Sequence, residues 1–191
     1  MNHNYWYGEK IVLRSVAQKD LDAALTDPYI FDTEEERSIS EIPFPSTPEQ
    51  DRSQMAEMLK REPGDDSFFW EIDNVEGEHV GFIHTWECKP RMGTFRYAMA
   101  IHRPYRRRGY AQEAVCLVLR YYFRELRYQK CTVNIYAFNE TSLRFHRSFG
   151  FVEEGRLRRM VFTNGEYFDE IHMGMTREEF DAIDPPLPFS A

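Results

Sequence analysis

The sequence has few cysteines, no long apolar run and no repeated segment, and these absences exclude several classes of protein. Its three cysteines, Cys88, Cys116 and Cys131, form no Cys-x-x-Cys pair, which argues against a disulfide framework and against a zinc ribbon. No stretch approaches the ~20 apolar residues that span a bilayer, and the first residues lack the order of a signal peptide. We therefore expect a cytoplasmic protein with reduced thiols and no membrane partner.

The sequence also has no histidine pair at the spacing of a metal site, and its basic residues are fewer than its acidic ones. The six histidines include no His-x-x-x-His pair, so the sequence predicts no metal site. Lysine and arginine number 24 against 32 aspartate and glutamate residues, and the net charge of -8 disfavours nucleic acid and favours a cationic substrate. Four arginines within six residues, Arg103 and Arg106 to Arg108, reverse the charge locally and indicate a local anion.

The length of 191 residues predicts one domain, residues 1–191. In the N-terminal third we expect a strand at 9–16, a helix at 18–25 and an irregular connection at 27–48 with a helical piece inside it. Thr47 and Gln50 resemble a capping box at the start of another helix, which Pro63-Gly64 ends.

The centre of the chain carries the clearest periodicity. Strands are predicted at 67–73 and 79–86, which a short turn joins as a hairpin, and at 94–101. Apolar residues then recur with helical spacing over 111–126, and a strand follows at 131–137. A strand, an amphipathic helix and a second strand in this order predict a crossover between two parallel strands.

The C-terminal part predicts a short helix and a second hairpin. Residues 139–149 have the pattern of a helix that Gly150 ends. Asn164-Gly165 is a strong signal for a hairpin turn, between strands at 151–163 and 167–175.

The segment Arg106-x-x-Gly109-x-Ala111 lies where a strand passes into the long helix. The first backbone N–H groups of a helix have no intrahelical partner, and the helix dipole favours an anion beside them. Gly109 lets the backbone approach a ligand closely, and the arginines can add charge-assisted hydrogen bonds. These residues predict a site for a phosphate-bearing ligand, and an exposed arginine cluster without a ligand is the alternative.

Two longer segments resemble a known family. IHRPYRRRGYAQEA, residues 101–114, resembles motif A of the GNAT acetyltransferases, whose Q/R-x-x-G-x-G/A loop binds the pyrophosphate of acetyl-CoA. NETSLRFHRSFGF, residues 139–151, is similar to the family's N-x-x-(A/S) segment that ends in Gly-Phe. The branch of ribosomal-protein N-terminal and spermidine acetyltransferases is the most similar. The resemblance implies a coenzyme-binding core at about 94–151 and acceptor-side elements at about 18–63 and 151–176.

The resemblance also implies a fold and a coenzyme site. The GNAT fold is an α/β (mixed α+β) fold with a central twisted, mostly antiparallel sheet of about seven strands and about four flanking helices, and one parallel pair splays apart at the acetyl-CoA site. Backbone groups of Met99, Ala100 and Ile101 are expected to pair with pantetheine. The residues expected to contact the phosphates are Arg106, Arg107, Arg108, Gly109, Tyr110 and Ala111. Asn139 is expected to bond the coenzyme arm or to cap a helix, and the two roles can coexist.

Two proton transfers have candidate residues. His146 aligns with a tyrosine that protonates the leaving thiolate in many relatives, and a histidine with a pKa near 6.5 can donate a proton at neutral pH. A packed histidine without a chemical role is the alternative. The acceptor amine must also lose a proton, for which Glu71, Glu87, His84 and His102 are candidate bases. Glu87 is retained as the base, and a solvated strand residue is the alternative at each of the four positions.

The resulting functional hypothesis is direct transfer of an acetyl group from acetyl-CoA to a primary amine, either a protein N-terminus or a small amine such as a polyamine. A catalytically silent acyl-CoA-binding domain is the main alternative, and the net charge disfavours a nucleic-acid-binding module. The acidic run 34–36, together with Glu41, can attract a cationic acceptor. A homodimer formed through the last strands, as in many relatives, stays open beside a monomer.

Overall fold

One seven-stranded sheet organises the protein. The computed structural model describes residues 4–23, 33–42, 44–45, 47–60 and 64–184. The strands are β1 (Ile11–Arg14), β2 (Phe69–Asn74), β3 (His79–Lys89), β4 (Thr94–Ile101), β5 (Lys130–Tyr136), β6 (Val152–Thr163) and β7 (Glu166–Thr176). Their order is β1-β2-β3-β4-β5-β7-β6, and each neighbouring pair is antiparallel except β4 with β5. The predicted sheet is therefore confirmed.

The described part of the chain contains six α-helices, against about four predicted. They are α1 (Gln18–Ala23), α2 (Thr33–Ile39), α3 (Pro48–Lys60), α4 (Tyr110–Arg124), α5 (Glu140–Phe149) and α6 (Arg177–Ile183), and a 3-10 turn spans Arg103–Tyr105. None of these helices combines the length and the apolar character that a membrane crossing requires. The predicted end of the first helix at residues 24 and 25 lies outside the described residues.

Two capping boxes fix helix starts. Before α3, the N–H of Thr47 donates to Gln50 Oε1 at 2.8 Å and the N–H of Gln50 donates to Thr47 Oγ1 at 3.2 Å, as predicted. Before α6, Thr176 and Glu179 make the same reciprocal pair at 2.8 and 3.3 Å. Helix α6 was not predicted, because this short helix buries only Phe180 and therefore has little apolar periodicity.

Helix α4 packs its apolar stripe on the sheet. Its buried residues are Tyr110, Ala114, Val115, Leu117, Val118, Leu119, Tyr122 and Phe123. The ring of Tyr122 stacks on Phe95 of β4 with centroids 4.1 Å apart. Burying each large apolar side chain contributes about 1.5–3 kcal/mol, so this contact fixes α4 and the loop before it against β4.

Strands β4 and β5 are paired over only three residues. The parallel pairs are Thr94 with Lys130, Phe95 with Cys131 and Arg96 with Thr132, and no pair joins the strands beyond them. The two strands therefore separate toward their carboxyl ends. This confirms both the predicted crossover and the predicted gap between the strands.

The hairpin of β6 and β7 turns at the predicted dipeptide. Asn164 and Gly165 have φ angles of 50° and 81°, in the left-handed region that a type I′ turn requires at both central positions. Strand β7 lies between β5 and β6, so its residues face β5 across the antiparallel pairing. That pairing brings β7 side chains to the edge of the gap.

Candidate active site

A cavity of about 860 Å³ opens where β4 and β5 separate. Its walls come from β4, the loop and first turn of α4, β5 and α5, and α2 adds Glu34 and Ser38. Two contacts hold α2 there: Asn139 Nδ2 donates to Ser38 O at 2.9 Å, and Arg37 Nη1 donates to Thr163 Oγ1 at 2.6 Å. One space therefore joins the predicted coenzyme loop to the predicted acceptor side.

The loop before α4 leaves backbone N–H groups without intrahelical partners. The first intrahelical bond runs from the N–H of Glu113 to Gly109 O at 3.2 Å, and the amides of Tyr110, Ala111 and Gln112 precede it. Gly109 occupies the N-cap position with a φ of 88°, and no side chain caps the helix. Since these residues line the cavity, the helix start has the geometry of a phosphate site.

The three arginines of this loop differ in their contacts. Arg106 Nε donates to the last carbonyl of β4 at 2.8 Å, and Arg108 donates to a carbonyl of the 3-10 turn at 3.1 Å. Arg107 is exposed, has a φ of 63°, and makes no hydrogen bond or ion pair with a described residue. Arg106 and Arg108 thus stabilise the loop. The N–H donors of the Arg107 guanidinium are available to a ligand.

The end of β4 forms a second wall of the cavity. Met99, Ala100 and Ile101, the predicted partners of pantetheine, line the cavity beyond the last β4–β5 pair. Backbone groups on an unpaired strand edge need a partner, which a ligand can supply. The carbonyl of Ile101 already accepts Arg106 Nε, so the strand end and the loop are directly connected.

His146 is buried in α5 and forms a pair with Tyr97 of β4. Its Nε2 lies 2.8 Å from the Tyr97 hydroxyl, and its Nδ1 lies 2.8 Å from the carbonyl oxygen of Ser142. A carbonyl oxygen can only accept, so Nδ1 carries the proton and Nε2 accepts the proton of Tyr97. Burial lowers the pKa of His146 to about 4 and raises the pKa of Tyr97 well above its ordinary value.

This geometry bears on the role predicted for His146. At pH 7 the imidazole is neutral, and its only N–H points at the Ser142 carbonyl. The proton of the pair that can move lies on the Tyr97 hydroxyl. Donation to a thiolate stays a prediction for His146, and in this tautomer it would have to act through Tyr97.

Asn139 takes the capping role that the sequence offered as one of two alternatives. Its Oδ1 accepts the N–H of Ser142 at 3.0 Å, and its Nδ2 donates to Ser38 O. The side chain thus fixes the start of α5 and connects it to α2. It also lines the cavity, and its contact with the coenzyme arm stays a prediction.

The four candidate bases lie outside the described lining of the cavity. Glu71 is buried and lies 2.8 Å from His79 Nε2, while Glu87 is exposed. His84 lies in an aromatic stack, and burial lowers its pKa. His102 is buried at the end of β4. Their role as base, including that of Glu87, stays a prediction.

Glu170 is a cavity carboxylate that the sequence analysis missed. Its Oε1 accepts Asn134 Nδ2 at 3.2 Å and lies 2.8 Å from His172 Nε2. The predicted β7 strand contained Glu170, but its approach to Asn134 depends on pairing between β5 and β7. Local sequence patterns do not encode that pairing, in which Glu170 lies opposite Tyr136 and diagonal to Asn134.

Comparisons with known proteins agree with this geometry. The sequence profile of the family described as acetyltransferase (GNAT) domain matches residues 10–152. The SPbeta prophage-derived uncharacterized N-acetyltransferase YokL of Bacillus subtilis is 38% identical over 180 residues, which cover 93% of this chain and 96% of that protein. Spermidine N(1)-acetyltransferase of Escherichia coli is 26% identical over 109 residues, which cover 57% of this chain and 59% of that protein.

A solved structure extends the similarity of fold. The crystal structure of spermidine N-acetyltransferase from Vibrio cholerae in complex with CoA and spermine matches with a TM-score of 0.77. The match covers 91% of this chain and 99% of that chain at 19% identity. At this identity the likeness concerns the fold alone.

Proposed function

The chain belongs to the acetyltransferase (GNAT) family, and from that premise we propose that it transfers the acetyl group of acetyl-CoA directly to a primary amine. The observation that carries the proposal is the single cavity that connects the start of α4 to the gap between β4 and β5. In the proposal the pyrophosphate lies at the loop of Arg106 to Ala111, and pantetheine follows the backbone of Met99 to Ile101 into the gap.

The proposed reaction has balanced steps. The neutral amine nitrogen attacks the thioester carbonyl carbon, and a backbone N–H of β4 stabilises the oxyanion that forms. The C–S bond then breaks, and the electron pair leaves on sulfur as a thiolate, which takes a proton. We assign that proton to the pair of Tyr97 and His146, because Tyr97 carries the hydroxyl proton and His146 holds its position. The acylated nitrogen loses its surplus proton to a base, which gives the neutral amide. Asn139 is proposed to contact the coenzyme arm while it caps α5.

The acceptor is proposed to be cationic before it reacts. The cavity contains the carboxylates of Glu34 and Glu170, which attract an ammonium group. The net charge of -8 favours the same class of substrate. The similar protein of Escherichia coli is named spermidine N(1)-acetyltransferase, so a polyamine is one acceptor class in the proposal and a protein N-terminus is the other.

The test is incubation of the purified chain with acetyl-CoA and a panel of amines, followed by measurement of free thiol. The panel contains spermidine, a peptide with a free N-terminus and the same peptide with a blocked N-terminus. Thiol release that depends on a free amine, with acetylated product in the mass spectrum, is the expected result. Coenzyme binding without thiol release from any amine would instead indicate the catalytically silent alternative.

Assembly and compartment complete the proposal. A homodimer is proposed through the hairpin of β6 and β7, because β6 is an edge strand that exposes Leu157, Met160 and Phe162. Light scattering of the purified protein measures its mass directly.

The three unpaired cysteines accord with a reducing compartment such as the cytoplasm.

A further inference from the structure

Strand β5 presents different residues to the two faces of the sheet. Val133 and Ile135 are buried, whereas Asn134 and Tyr136 alternate with them on the opposite face. Across the β5–β7 pairing, Tyr136 lies opposite Glu170 and Asn134 lies opposite His172. Residues directly opposite in an antiparallel pair share a face, so these four side chains form one polar group beside the gap.

A chain of hydrogen bonds fixes Glu170 within this group. Arg96 Nη1 donates to Asn134 Oδ1 at 3.2 Å, which sets the orientation of the amide and directs Asn134 Nδ2 to Glu170 Oε1. His172 Nε2 lies 2.8 Å from the same oxygen. Both contacts fall on Oε1. Within the described part of the chain, Oε2 has no hydrogen-bond partner, and it is the oxygen available to a ligand.

The other carboxylate of the cavity is more exposed and is paired with a cation. Glu34 is 62% exposed and pairs with Arg37 one turn further along α2, at 2.9 Å. The side chain of Glu170 is only 15% exposed and makes no ion pair with arginine or lysine in the described residues. A partly buried carboxylate that has no lysine or arginine beside it attracts a cationic ligand more strongly than an exposed, paired one does.

We infer that Glu170 is the catalytic carboxylate that receives the acceptor amine, an inference that rests on the proposed function. The ammonium group donates an N–H to Glu170 Oε2 and transfers one proton to it, which the carboxylic acid passes to water. The neutral nitrogen attacks the thioester carbon, the N–C bond forms, and the C–S bond breaks. The nitrogen then loses its second surplus proton to Glu170, and the thiolate is protonated.

The test compares Glu170→Gln with two other carboxylate variants. Glu166→Gln is the matched control, because Glu166 lies exposed on the same strand. Glu87→Gln tests the base that the sequence predicted. We expect Glu170→Gln to lower kcat/KM for the amine by about 10²-fold or more, with the KM for acetyl-CoA changed less than about twofold. Glu166→Gln should retain wild-type kinetics, and Glu87→Gln should lose far less activity than Glu170→Gln.

Three further measurements distinguish a catalytic role of Glu170 from a purely structural one. Calorimetric binding of CoA to Glu170→Gln should match the wild type. The pH dependence of kcat/KM should lose the limb that reports the base, and formate should partly restore the activity of Glu170→Ala. If Glu170→Gln does not fold, Glu170→Asp, which keeps the charge on a shorter side chain, should still lose amine kcat/KM without losing coenzyme affinity.

Two failures can be told apart. A wild-type protein that releases thiol with no amine of the panel contradicts the proposed function itself. A wild-type protein that acetylates an amine, while Glu170→Gln keeps more than half of its kcat/KM, contradicts only the role of Glu170. Greater loss in Glu87→Gln than in Glu170→Gln would likewise overturn it.

Discussion

Tyr97 donates its hydroxyl proton to His146 Nε2 at 2.8 Å, and this bond lies at the apex of the gap between β4 and β5. The last pair of the two strands joins Arg96 to Thr132, so Tyr97 is the first β4 residue beyond it. His146 is fixed from behind by the Ser142 carbonyl within α5. The bond therefore connects the open end of β4 to the helix that follows β5.

Substitution of either partner should lower turnover. We expect Tyr97→Phe to reduce kcat by about 10²-fold, because it removes the hydroxyl proton, while the KM for acetyl-CoA changes less than about twofold. His146→Ala should reduce kcat similarly, because Tyr97 loses the group that holds its hydroxyl. The double variant should be no slower than the slower single variant, since the two residues act as a unit. Steady-state assays of thiol release measure all three, and wild-type kcat in Tyr97→Phe would contradict the assignment.

The burial of His146 predicts a pH-dependent stability. Its pKa is about 4 in the folded protein against about 6.5 for an unfolded histidine. Because the folded value is the lower one, the unfolded chain binds more protons between these two values. The free energy of unfolding should therefore fall as the pH drops from 6.5 toward 4, by about 3 kcal/mol from this group, with no contribution above pH 6.5.

Urea denaturation between pH 7 and pH 4 tests this dependence. Carboxylates also titrate in this range, so the measurement is the difference between the wild type and His146→Gln. The slope of stability against pH should be smaller in the variant. Equal slopes would mean that the imidazole binds a proton equally well in the folded and unfolded chains.

Alanine substitutions at Gly109 and Gly165 distinguish a loss of stability through backbone strain from a loss of coenzyme binding. Both have a positive φ, of 88° and 81°, so alanine at either position should cost about 1 kcal/mol of stability. A Cβ at Gly109 would stand on the loop that faces the cavity, 2.9 Å from Lys10 Nζ, whereas one at Gly165 would meet nothing within 4 Å. We expect Gly109→Ala alone to weaken CoA binding by tenfold or more in calorimetry. Equal CoA affinities in the two variants would argue against a phosphate site at this loop.

Elements with short-range signals were predicted from the sequence with accurate bounds. The predicted strand 94–101 is β4, and the apolar stripe of α4 and the turn at Asn164-Gly165 are as expected. Each depends on residues within one strand, one helix or one turn. The loop before α4 was also predictable, because the change from strand to helix periodicity and the arginine-glycine pattern coincide there.

Features that depend on pairing between distant segments were not predictable in the same way. Tyr97 meets His146 from another element 49 residues away, and Glu170 meets Asn134 36 residues away. The candidate bases were chosen from strands whose registers were unknown, and they lie outside the cavity lining in the described residues. A residue's type indicates which chemistry it can perform, but the strand register decides whether it reaches the cavity.

Two substitutions of Asn139 test its roles separately. Asn139→Asp keeps an oxygen that accepts the N–H of Ser142, so the cap and the stability should be retained within about 0.5 kcal/mol. It removes the Nδ2 donor to Ser38 O, which is one of the two contacts that hold α2 against the cavity, on the proposed acceptor side. We expect the KM for the amine to rise several-fold. Asn139→Ala loses the cap as well and should be about 1 kcal/mol less stable. A rise confined to the KM for acetyl-CoA would show instead that the amide acts on the coenzyme arm and that the contact with α2 is dispensable.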